Sequence, residues 1–455
     1  MEPLNHIERR AVSALALIFG LRMFGLFLVL PVLALYADGL PGATPLVVGL
    51  ALGVYGLTQA IFQIPFGRLS DRFGRKGLIT FGLLLFALGS VVSAEAATVP
   101  GIIAGRALQG AGAIAAVVLA LLADLTREQQ RIKATALVGG MIGVAFLTAL
   151  MGGSVLEGLI GVPGLFYLAA FAALVVMPVL WWGVPTPLHS GNLVYSRRRG
   201  DWSSVFSSRH LLRLDFGVFV QHLSLMALFV AVPPALVDVL GLGSPDHWRV
   251  YVPVLVTSVV AMLPLLLLSM RSGKSYTAFR VALSLMLVSA ALLAWVAGHG
   301  WGLVGGLVIF FTGFNLLEAL LPSLVSRVAP SQLKGTALGV YNTCQFAGVF
   351  VGGAVGGVIF GHFGSVGVFL LMGSLLALWW IVVLLGDVPE LMNSVTVYLE
   401  DIPAAQFEDR IAALRQLPGV YDVTVLAGQN MVYLKVSPSG FHNASLADVA
   451  GVSVR

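Results

Sequence analysis

A cluster of charges between two long apolar segments constrains this chain more than any other feature. The cluster is Gly67–Ile79, with the sequence Gly-Arg-Leu-Ser-Asp-Arg-Phe-Gly-Arg-Lys-Gly-Leu-Ile. The segments on either side, 45–66 and 77–94, are predominantly apolar, and an apolar segment of roughly 20 residues crosses a bilayer as a helix. We therefore expect the cluster to form a short loop at a membrane surface. Its four cations favour the cytoplasmic surface.

The composition is that of a membrane protein. Hydrophobic residues make up 58% of the 455 residues and charged residues only 10%, whereas a soluble chain carries about a quarter charged residues. Apolar segments of membrane-crossing length recur twelve times, which predicts an all-α fold with both termini on one side. The first segment is too long for a signal peptide and lacks a small-residue cleavage pattern. The predicted spans, numbered 1 to 12, are 11–37, 45–66, 77–95, 99–123, 132–155, 163–184, 212–240, 249–270, 276–297, 301–328, 334–358 and 364–385.

The distribution of positive charge predicts which side the loops occupy. With both termini in the cytoplasm, nineteen lysines and arginines fall in cytoplasmic loops or at span edges, against Arg249 alone outside. This bias favours the cytoplasmic assignment of both termini. The net charge of +5 does not indicate nucleic-acid binding, because the cations lie between spans. The nineteen cations are Arg9, Arg10, Arg68, Arg72, Arg75, Lys76, Arg127, Arg131, Lys133, Arg197, Arg198, Arg199, Arg209, Arg213, Arg271, Lys274, Arg280, Arg327 and Lys334.

The spans divide into two sets of six. Segment 133–137 resembles segment 334–338, which lies 201 residues later, and segment 161–166 resembles 364–369, which lies 203 residues later. Nearly equal offsets favour a duplicated six-helix unit, the parallel repeat from which many transporters are built. Chance similarity between small residues is the alternative. We predict a first half at 1–190, a cytoplasmic central loop at 191–211, a second half at 212–386 and a cytoplasmic tail domain at 394–455.

The tail has the patterns of a small α+β domain. Alternating residues predict strands, and apolar residues at helical spacing followed by Pro418-Gly419 predict a helix that ends there. The order β-α-β-β-α with a short last strand indicates a ferredoxin-like fold. The predicted elements are strands at 394–400, 420–426, 431–436 and 452–455, and helices at 404–416 and 445–450.

Two motifs resemble signatures of the major facilitator superfamily. The first is Gly67, three residues, Asp71, then Gly74-Arg75-Lys76, and the second is Arg106 followed by Gln109-Gly110. With twelve spans and a basic central loop, the resemblance covers about 11–386. The whole chain is similar to the YajR-type branch of the drug:proton antiporter group. The resemblance implies a monomer in the bacterial cytoplasmic (inner) membrane that exports small amphipathic compounds in exchange for protons, by alternating access and without a cofactor.

The resemblance also implies a conformational latch. Asp71 would lie near the start of span 11, around Gly335, where a carboxylate complements the positive end of a helix. Arg75 would pair with Asp124 at the end of span 4, and Gly67 would permit close approach of another helix. This latch would hold the two halves together when the binding site faces outward. The alternative for the loop's other cations is that they only set topology.

The resemblance has two departures from the family patterns. Antiporters of this group carry Gly-Pro, two residues, then Gly-Gly in span 5, and here Thr148-Ala149 replaces Gly-Pro before Gly152-Gly153. The kink that proline produces is therefore absent, which weakens the inference of antiport. The tail resembles heavy-metal-associated domains at Leu417–Val420, but it contains no cysteine. We therefore expect no metal site there.

Ionisable residues within the spans are candidates for function, because each costs roughly 2.5–3.5 kcal/mol at the bilayer centre. They are Arg22, Arg106, His222 and Glu318 in spans 1, 4, 7 and 10, the helices that line the cavity in the resembled superfamily. Glu318 is the first candidate for a proton carrier, since a carboxylate in a cavity of low dielectric constant can load and release a proton near neutral pH. His222 is the second. Binding of backbone carbonyls is the alternative for the arginines, and a structural role is the alternative for His222.

Uncharged polar residues are expected to complete the cavity. Tyr55, Gln59 and Gln63 are spaced four apart and share one helical face. Asn315 lies one turn before Glu318 and could orient its carboxylate. Hydrogen bonding between helices is the alternative role for these side chains.

Other functions have less support. A proton-coupled importer or a uniporter would have the same fold. A membrane sensor derived from a transporter would need an output segment, and the sequence contains no recognisable kinase or DNA-binding segment. An enzyme would need a metal cluster or a nucleophile–base pair within the spans, and the sequence indicates neither. ATP-driven pumping would need a Gly-rich phosphate loop that ends in Lys-Ser or Lys-Thr, and no such motif appears. The sequence therefore predicts a transporter whose partners are the lipid bilayer, a small-molecule substrate and protons.

Overall fold

We describe the protein from a computed structural model. The residues described are 4–186, 203–295, 299–330, 333–389, 391–399, 407–425, 431–437, 440–441, 446 and 452–454. Most of the predicted second helix of the tail, 445–450, and most of the predicted central loop lie outside these residues.

Long apolar helices make up most of the described chain. Ten helical stretches are long and apolar enough to cross a membrane. Two of them contain 51 residues each, more than twice the roughly 20 that one crossing needs. Both are kinked at a glycine, Gly161 with φ 68° and Gly364 with φ 61°, a backbone conformation that glycine adopts without strain. The two kinks lie at corresponding positions of the repeat, and the ten stretches supply twelve crossings.

The helix bounds agree closely with the predicted spans. Each kinked stretch provides two spans, 5 with 6 and 11 with 12. The helices, from span 1 to span 12, are His6–Phe27 with Leu30–Asp38, Pro45–Phe73, Arg75–Ala94, Val99–Ala111 with Ala115–Leu125, Glu128–Pro178, Arg209–Leu240, Trp248–Ser272, Ser275–Trp295, Gly300–Val328 and Lys334–Leu384.

The charged cluster is helical, so the expectation of a loop was wrong. Span 2 continues as a helix to Phe73, and span 3 begins at Arg75. Only Gly74, with φ 86°, separates them. The apolar run ends at the membrane surface, but no residue from Arg68 to Phe73 breaks a helix, so the helix projects beyond the apolar region. We call the helix ends that carry 68–76, 127–133 and 271–280 the basic end, and those that carry 39–44, 95–98 and 241–247 the opposite end.

Spans 1 and 4 are each broken within the membrane. Span 1 is interrupted at Leu28-Val29, just before Pro31, which has no backbone N–H to donate. Span 4 is interrupted at 112–114. A break in a membrane helix frees backbone groups that other partners must satisfy. Arg22 donates from Nη2 to the carbonyl oxygen of Gly112 at 3.0 Å and so satisfies one of them.

The two halves pack most closely where spans 2 and 11 cross near the opposite end. A methyl group placed on Gly49 would lie 2.9 Å from Gly357 Cα, and one placed on Gly53 would lie 3.1 Å from Phe350 Cα. Only glycine allows backbones to approach this closely. Toward the basic end of span 11, a methyl group on Gly335 or Gly339 would meet nothing within 4 Å. The halves therefore meet at the opposite end and part toward the basic end.

The tail forms a small sheet with one described helix. Strands β1 (Asn393–Leu399), β2 (Val420–Val425), β3 (Met431–Val436) and β4 (Val452–Val454) pair antiparallel in the order β2-β3-β1-β4. The helix Phe407–Gln416 follows β1. Its buried Ile411 and Leu414 pack with Val397 and Val432 of the sheet.

The tail contacts the basic end of span 10. Lys435, on β3, is buried and donates from Nζ to the carbonyl oxygens of Val328 at 3.3 Å and Ala329 at 2.5 Å. In the other direction, Arg327 donates to the carbonyl oxygens of Leu391 and Met392 at 3.2 and 3.4 Å. A cation at the last carbonyls of a helix is favourable, because those groups have no partner within the helix.

We expect Lys435→Ala to release the tail from span 10, because hydrogen bonds to a charged group contribute roughly 1.5–3 kcal/mol each. Spin labels at the exposed residues Ser207 and Arg415, with Cys344 replaced by serine, would report the release as a broader and longer distance distribution. Lys274→Ala, which removes an exposed cation elsewhere at the basic end, is the matched control. An unchanged distribution in Lys435→Ala would contradict the predicted role.

The same contact should depend on pH. Burial and, secondarily, the nearby charge of Lys334 lower the pKa of Lys435 to about 8, against about 10.4 for a free lysine. The released lysine therefore binds a proton more tightly than the docked one. Docking should be insensitive to pH below about 8 and should tighten above it, by at most about tenfold per pH unit up to about 10.4. The same label pair measures this, and docking that weakens in that window would refute it.

Candidate functional site

Glu318 and His222 come together in the second half. His222 Nε2 lies 3.6 Å from Glu318 Oε2. Two amides that sequence reasoning missed complete the group: Gln221 Nε2 donates to Glu318 Oε2 at 3.2 Å, and Gln345 Nε2 lies 2.8 Å from His222 Nε2. The four side chains join spans 7, 10 and 11. Their signal in the sequence was the presence of amides within otherwise apolar spans.

The contacts of His222 define its protonation state. Its Nδ1 lies 3.2 Å from the carbonyl oxygen of Val218, which accepts a hydrogen bond and therefore requires the proton on Nδ1. Its Nε2 is then free to accept a hydrogen bond from the amide of Gln345. Protonation of Nε2 would turn this acceptor into a donor, would displace the amide of Gln345 and would favour the carboxylate of Glu318. The pair is thus arranged to respond to one proton.

Glu318 is open to solvent, and His222 is not. The Glu318 side chain is 41% exposed, against 7% for His222. The expected contact between Asn315 and Glu318 is not the one that the structure shows, because Asn315 Nδ2 instead donates to Ser258 Oγ of span 8 at 3.4 Å. Residues three apart on a helix are offset by about 60° in angle, which is enough to turn Asn315 toward a different neighbour. Gln221 of span 7 contacts Glu318 instead.

A second polar group lies in the first half. Tyr55 Oη donates to Gln59 Oε1 at 3.1 Å, Arg22 Nη2 donates to the same oxygen at 2.9 Å, and Gln59 Nε2 donates to Gln63 Oε1 at 3.1 Å. All four side chains are buried, with at most 2% exposed. In this state they form a closed network between spans 1 and 2 and do not line an open cavity.

Arg106 belongs to the same region. Its guanidinium lies 5.3 Å from the centre of the Tyr55 ring, and its Nη1 donates to Gln109 Oε1 at 3.0 Å. It also donates to the carbonyl oxygens of Ala51 and Leu52, each at 3.4 Å. Both buried arginines therefore bind backbone carbonyls, as the alternative interpretation expected. No carboxylate forms a described ion pair with either of them.

Aromatic rings separate Glu318 from the opposite end. The centre of the Phe146 ring lies 5.0 Å from Phe27 in span 1 and 6.0 Å from Phe314 in span 10. Phe314 is one turn before Glu318, on the side of the opposite end. These rings join the two halves across the middle of the protein. The rings therefore cover Glu318 on the side of the opposite end.

The latch residues lie together in the first half. Arg75 Nη1 lies 2.7 Å from Asp71 Oδ1, and Arg75 Nε lies 3.1 Å from Asp124 Oδ2. Asp71 is 67% exposed, and its described ion pair is with Arg75 and not with span 11. A methyl group placed on Gly67 would meet only Ala116 Cβ, at 3.8 Å. In this state the residues are assembled, but they do not join the halves.

Two polar contacts escaped prediction. Glu8 accepts hydrogen bonds from the backbone and side chain of Arg127 at 2.9–3.0 Å and ties the start of span 1 to the loop after span 4. Ser244 Oγ donates to Glu157 Oε2 at 2.6 Å and joins the two halves at the opposite end. Both pairs are distant in sequence, so nothing local revealed them.

Comparison with known proteins places these features in a family. Residues 15–353 match the family model of the Major Facilitator Superfamily. The chain belongs to the major facilitator superfamily. It is 42% identical over 432 residues to the inner membrane transport protein YajR of Escherichia coli (strain K12), with 94% of each chain covered. The predicted family and branch are confirmed, as is the fold of transmembrane helices in two halves with a small α+β tail.

More distant relatives of this major facilitator superfamily member are also transporters or resistance proteins. The class H tetracycline resistance protein of Pasteurella multocida is 24% identical over 74% of this chain and 87% of its own. A bacterial homologue of the human lysosomal transporter Spinster, solved in an inward-facing, occupied conformation, has a TM-score of 0.69 at 14% identity and covers 84% of this chain and 96% of its own. Together with the family match and the similarity to YajR, the apolar helices identify the chain as a multi-pass membrane transporter.

Proposed function

We propose that this transporter exports small amphipathic compounds from the cytoplasm in exchange for protons. The observation that carries the proposal is the Glu318–His222 pair, whose side chains lie 3.6 Å apart, with that of Glu318 41% exposed. A carboxylate and a histidine at that distance can bind one proton between them. The name of the tetracycline resistance relative supports a drug-like substrate.

The basic end is the cytoplasmic end in this proposal, and both termini lie there. The excess of lysine and arginine at this end supports the assignment, and the relative's location in the inner membrane supports a cytoplasmic membrane. The state described is then the inward-facing one. The protein acts as a monomer and needs no cofactor.

Alternating access follows from the contacts between the halves. In the inward-facing state, the glycines of spans 2 and 11, the Phe27–Phe146–Phe314 rings and the Ser244–Glu157 hydrogen bond close the outer side. In the outward-facing state, the latch closes the inner side. Gly67 then permits the close approach of another helix, and Asp71 reaches the start of span 11. Arg75 holds Asp71 in place while it is bound to Asp124.

The polar network of the first half has a structural part and a binding part in this proposal. Arg22 binds a carbonyl at the break in span 4, and Arg106 binds backbone carbonyls of span 2. Tyr55, Gln59, Gln63 and, in the second half, Asn315 offer uncharged hydrogen bonds that a substrate uses once the helices part. Uncharged partners suit compounds of varied structure, because they tolerate both donors and acceptors.

Transport by purified protein in liposomes tests the function. With tetracycline and ethidium as probes, we expect accumulation in vesicles with an acidic interior, and a protonophore should abolish it. Accumulation driven by an alkaline interior would indicate a proton-coupled importer instead. Equilibration of the probe across the membrane at a rate independent of the pH gradient would indicate a uniporter. Liposomes without protein serve as the control for leakage through the membrane.

A further inference from the structure

A buried carboxyl lies in span 7, outside the Glu318–His222 pair. Asp215 is 5% exposed, and its Oδ1 has no hydrogen-bond partner among the described residues. An ionised carboxylate without a partner is costly within a membrane helix, so it either carries a proton or has a functional role. Neither of the two family motifs includes this residue, and it plays no part in the latch.

Its position places it between the pair and the basic end. Asp215 precedes His222 by seven residues, or two helical turns, so the two side chains share one face of span 7. The separation along the axis is roughly 10 Å toward the basic end. A proton that leaves the pair for the cytoplasm would pass this level of the protein.

A hydroxyl of span 11 lies within electrostatic range of both carboxyls. Tyr341 is 2% exposed, and its Oη has no hydrogen-bond partner among the described residues. It interacts electrostatically with Glu318 and with Asp215. Cys344, one turn further along span 11, also interacts with Asp215.

The surroundings contain no described cation that neutralises Asp215. The titratable groups that interact with it electrostatically are Tyr341 and Cys344 from span 11, and His222 lies two turns away on its own helix. Span 12 contributes Trp379, which packs against Gly217 and does not titrate. No described ion pair includes Asp215, so a proton is the available means of neutralising it.

We propose that Asp215 is a second proton-binding site. This inference rests on the proposed proton coupling and adds a site on the cytoplasmic side of the pair. The protein would then bind two protons in its second half.

Infrared difference spectroscopy of the purified full-length protein can count these sites without a known substrate. On a step from about pH 5 to about pH 9, a range in which carboxyls with raised pKa values titrate, we expect carbonyl-stretch signals of two carboxylic acids within the spans. Asp215→Asn should remove one signal, and Glu318→Gln should remove the other. Asp238→Asn, at the exposed outer end of span 7, should keep both. An unchanged spectrum in Asp215→Asn would overturn the inference.

A second variant covers the case in which Asp215→Asn does not fold. Asp215→Glu keeps a carboxyl and should shift one of the two signals, whereas an unshifted pair of signals would also overturn the inference. Tyr341→Phe, which removes a hydroxyl and no carboxyl, should keep both signals. This test can fail while the proposed function stands. If Glu318→Gln removes a signal but Asp215→Asn leaves the spectrum unchanged, proton coupling at Glu318 is retained and only the second site is refuted.

Discussion

Gly353→Val is expected to shift the transporter strongly toward its outward-facing state. In the structure described, a side-chain carbon on Gly353 would overlap the carbonyl oxygen of Gly49 and lie 2.9 Å from Gly53 Cα. These contacts are between backbones, which cannot rotate away as a flexible side chain can. Overpacking of this kind costs about 1–3 kcal/mol, which corresponds to a roughly 5- to 150-fold change in the balance between two states.

Distances between spin labels at the outer ends of the two halves measure this balance. Labels at the exposed residues Ala97 and His299, with Cys344 replaced by serine, should move apart in Gly353→Val. Gly305→Val is the matched control, because a methyl group at Gly305 in span 10 meets nothing within 4 Å. An outer distance equal to that of the parent protein would show that the glycine contact does not limit closure.

The latch should act in the opposite direction. Asp71→Asn removes the charge that the proposed outward-facing state places at the start of span 11, and it leaves the glycine contact untouched. The same labels should therefore move closer together. The charge contributes about 0.3–1 kcal/mol if it acts through the end of a helix, so the effect should be smaller than that of Gly353→Val. A longer outer distance in Asp71→Asn would argue against the latch.

Glu318→Gln is expected to uncouple the transporter from protons. Glutamine matches the shape of a protonated carboxyl and keeps the contact with Gln221, but it cannot release a proton. The outer label distance, which should change with pH in the parent protein, should become independent of pH. The pH dependence that is lost should equal the coupling free energy between proton binding and the equilibrium of the inward- and outward-facing states. Such a coupling typically changes an equilibrium 5- to 150-fold.

Transport should show the same uncoupling. In liposomes, Glu318→Gln should no longer accumulate a transported probe against its gradient, although it should still allow exchange down that gradient. Asp238→Asn removes a carboxylate from the exposed outer end of span 7 and should retain full accumulation. Undiminished proton-driven accumulation in Glu318→Gln would eliminate Glu318 as the coupling residue and would leave His222 as the candidate to test next.

Hydropathy was sufficient to place the helices. Span 7 was predicted at 212–240, and the observed helix is Arg209–Leu240. The two agree because the apolar run and the helix end at the same residue and begin within three residues of each other. The method failed where a helix continues past the apolar run, as span 2 does to Phe73. It also failed to show the breaks in spans 1 and 4, since a broken membrane helix is stable only if a distant group, here Arg22, satisfies the freed carbonyl.

The candidate site was only partly predictable. Glu318 and His222 stood out because an ionisable residue within an apolar span needs an explanation. Their partners did not, because a glutamine in a span is equally suited to packing, to binding a substrate or to orienting a carboxylate. Asn315 was chosen for its proximity in sequence, whereas Gln221, which contacts Glu318, lies 97 residues away.

The amino-acid order alone settled the class of protein, the number of crossings, the family and the end of the molecule that carries the basic residues. Each of these follows from local composition or a short motif. The charged cluster at Gly67–Ile79 is the clearest case, although its residues proved to be helical. Only the packing of the helices decided that Asp71 binds Arg75 here and not span 11, that glycines close the opposite end, and that Lys435 caps span 10. Such contacts join residues far apart in the chain, so they depend on how the halves are tilted, and one sequence supports more than one tilt.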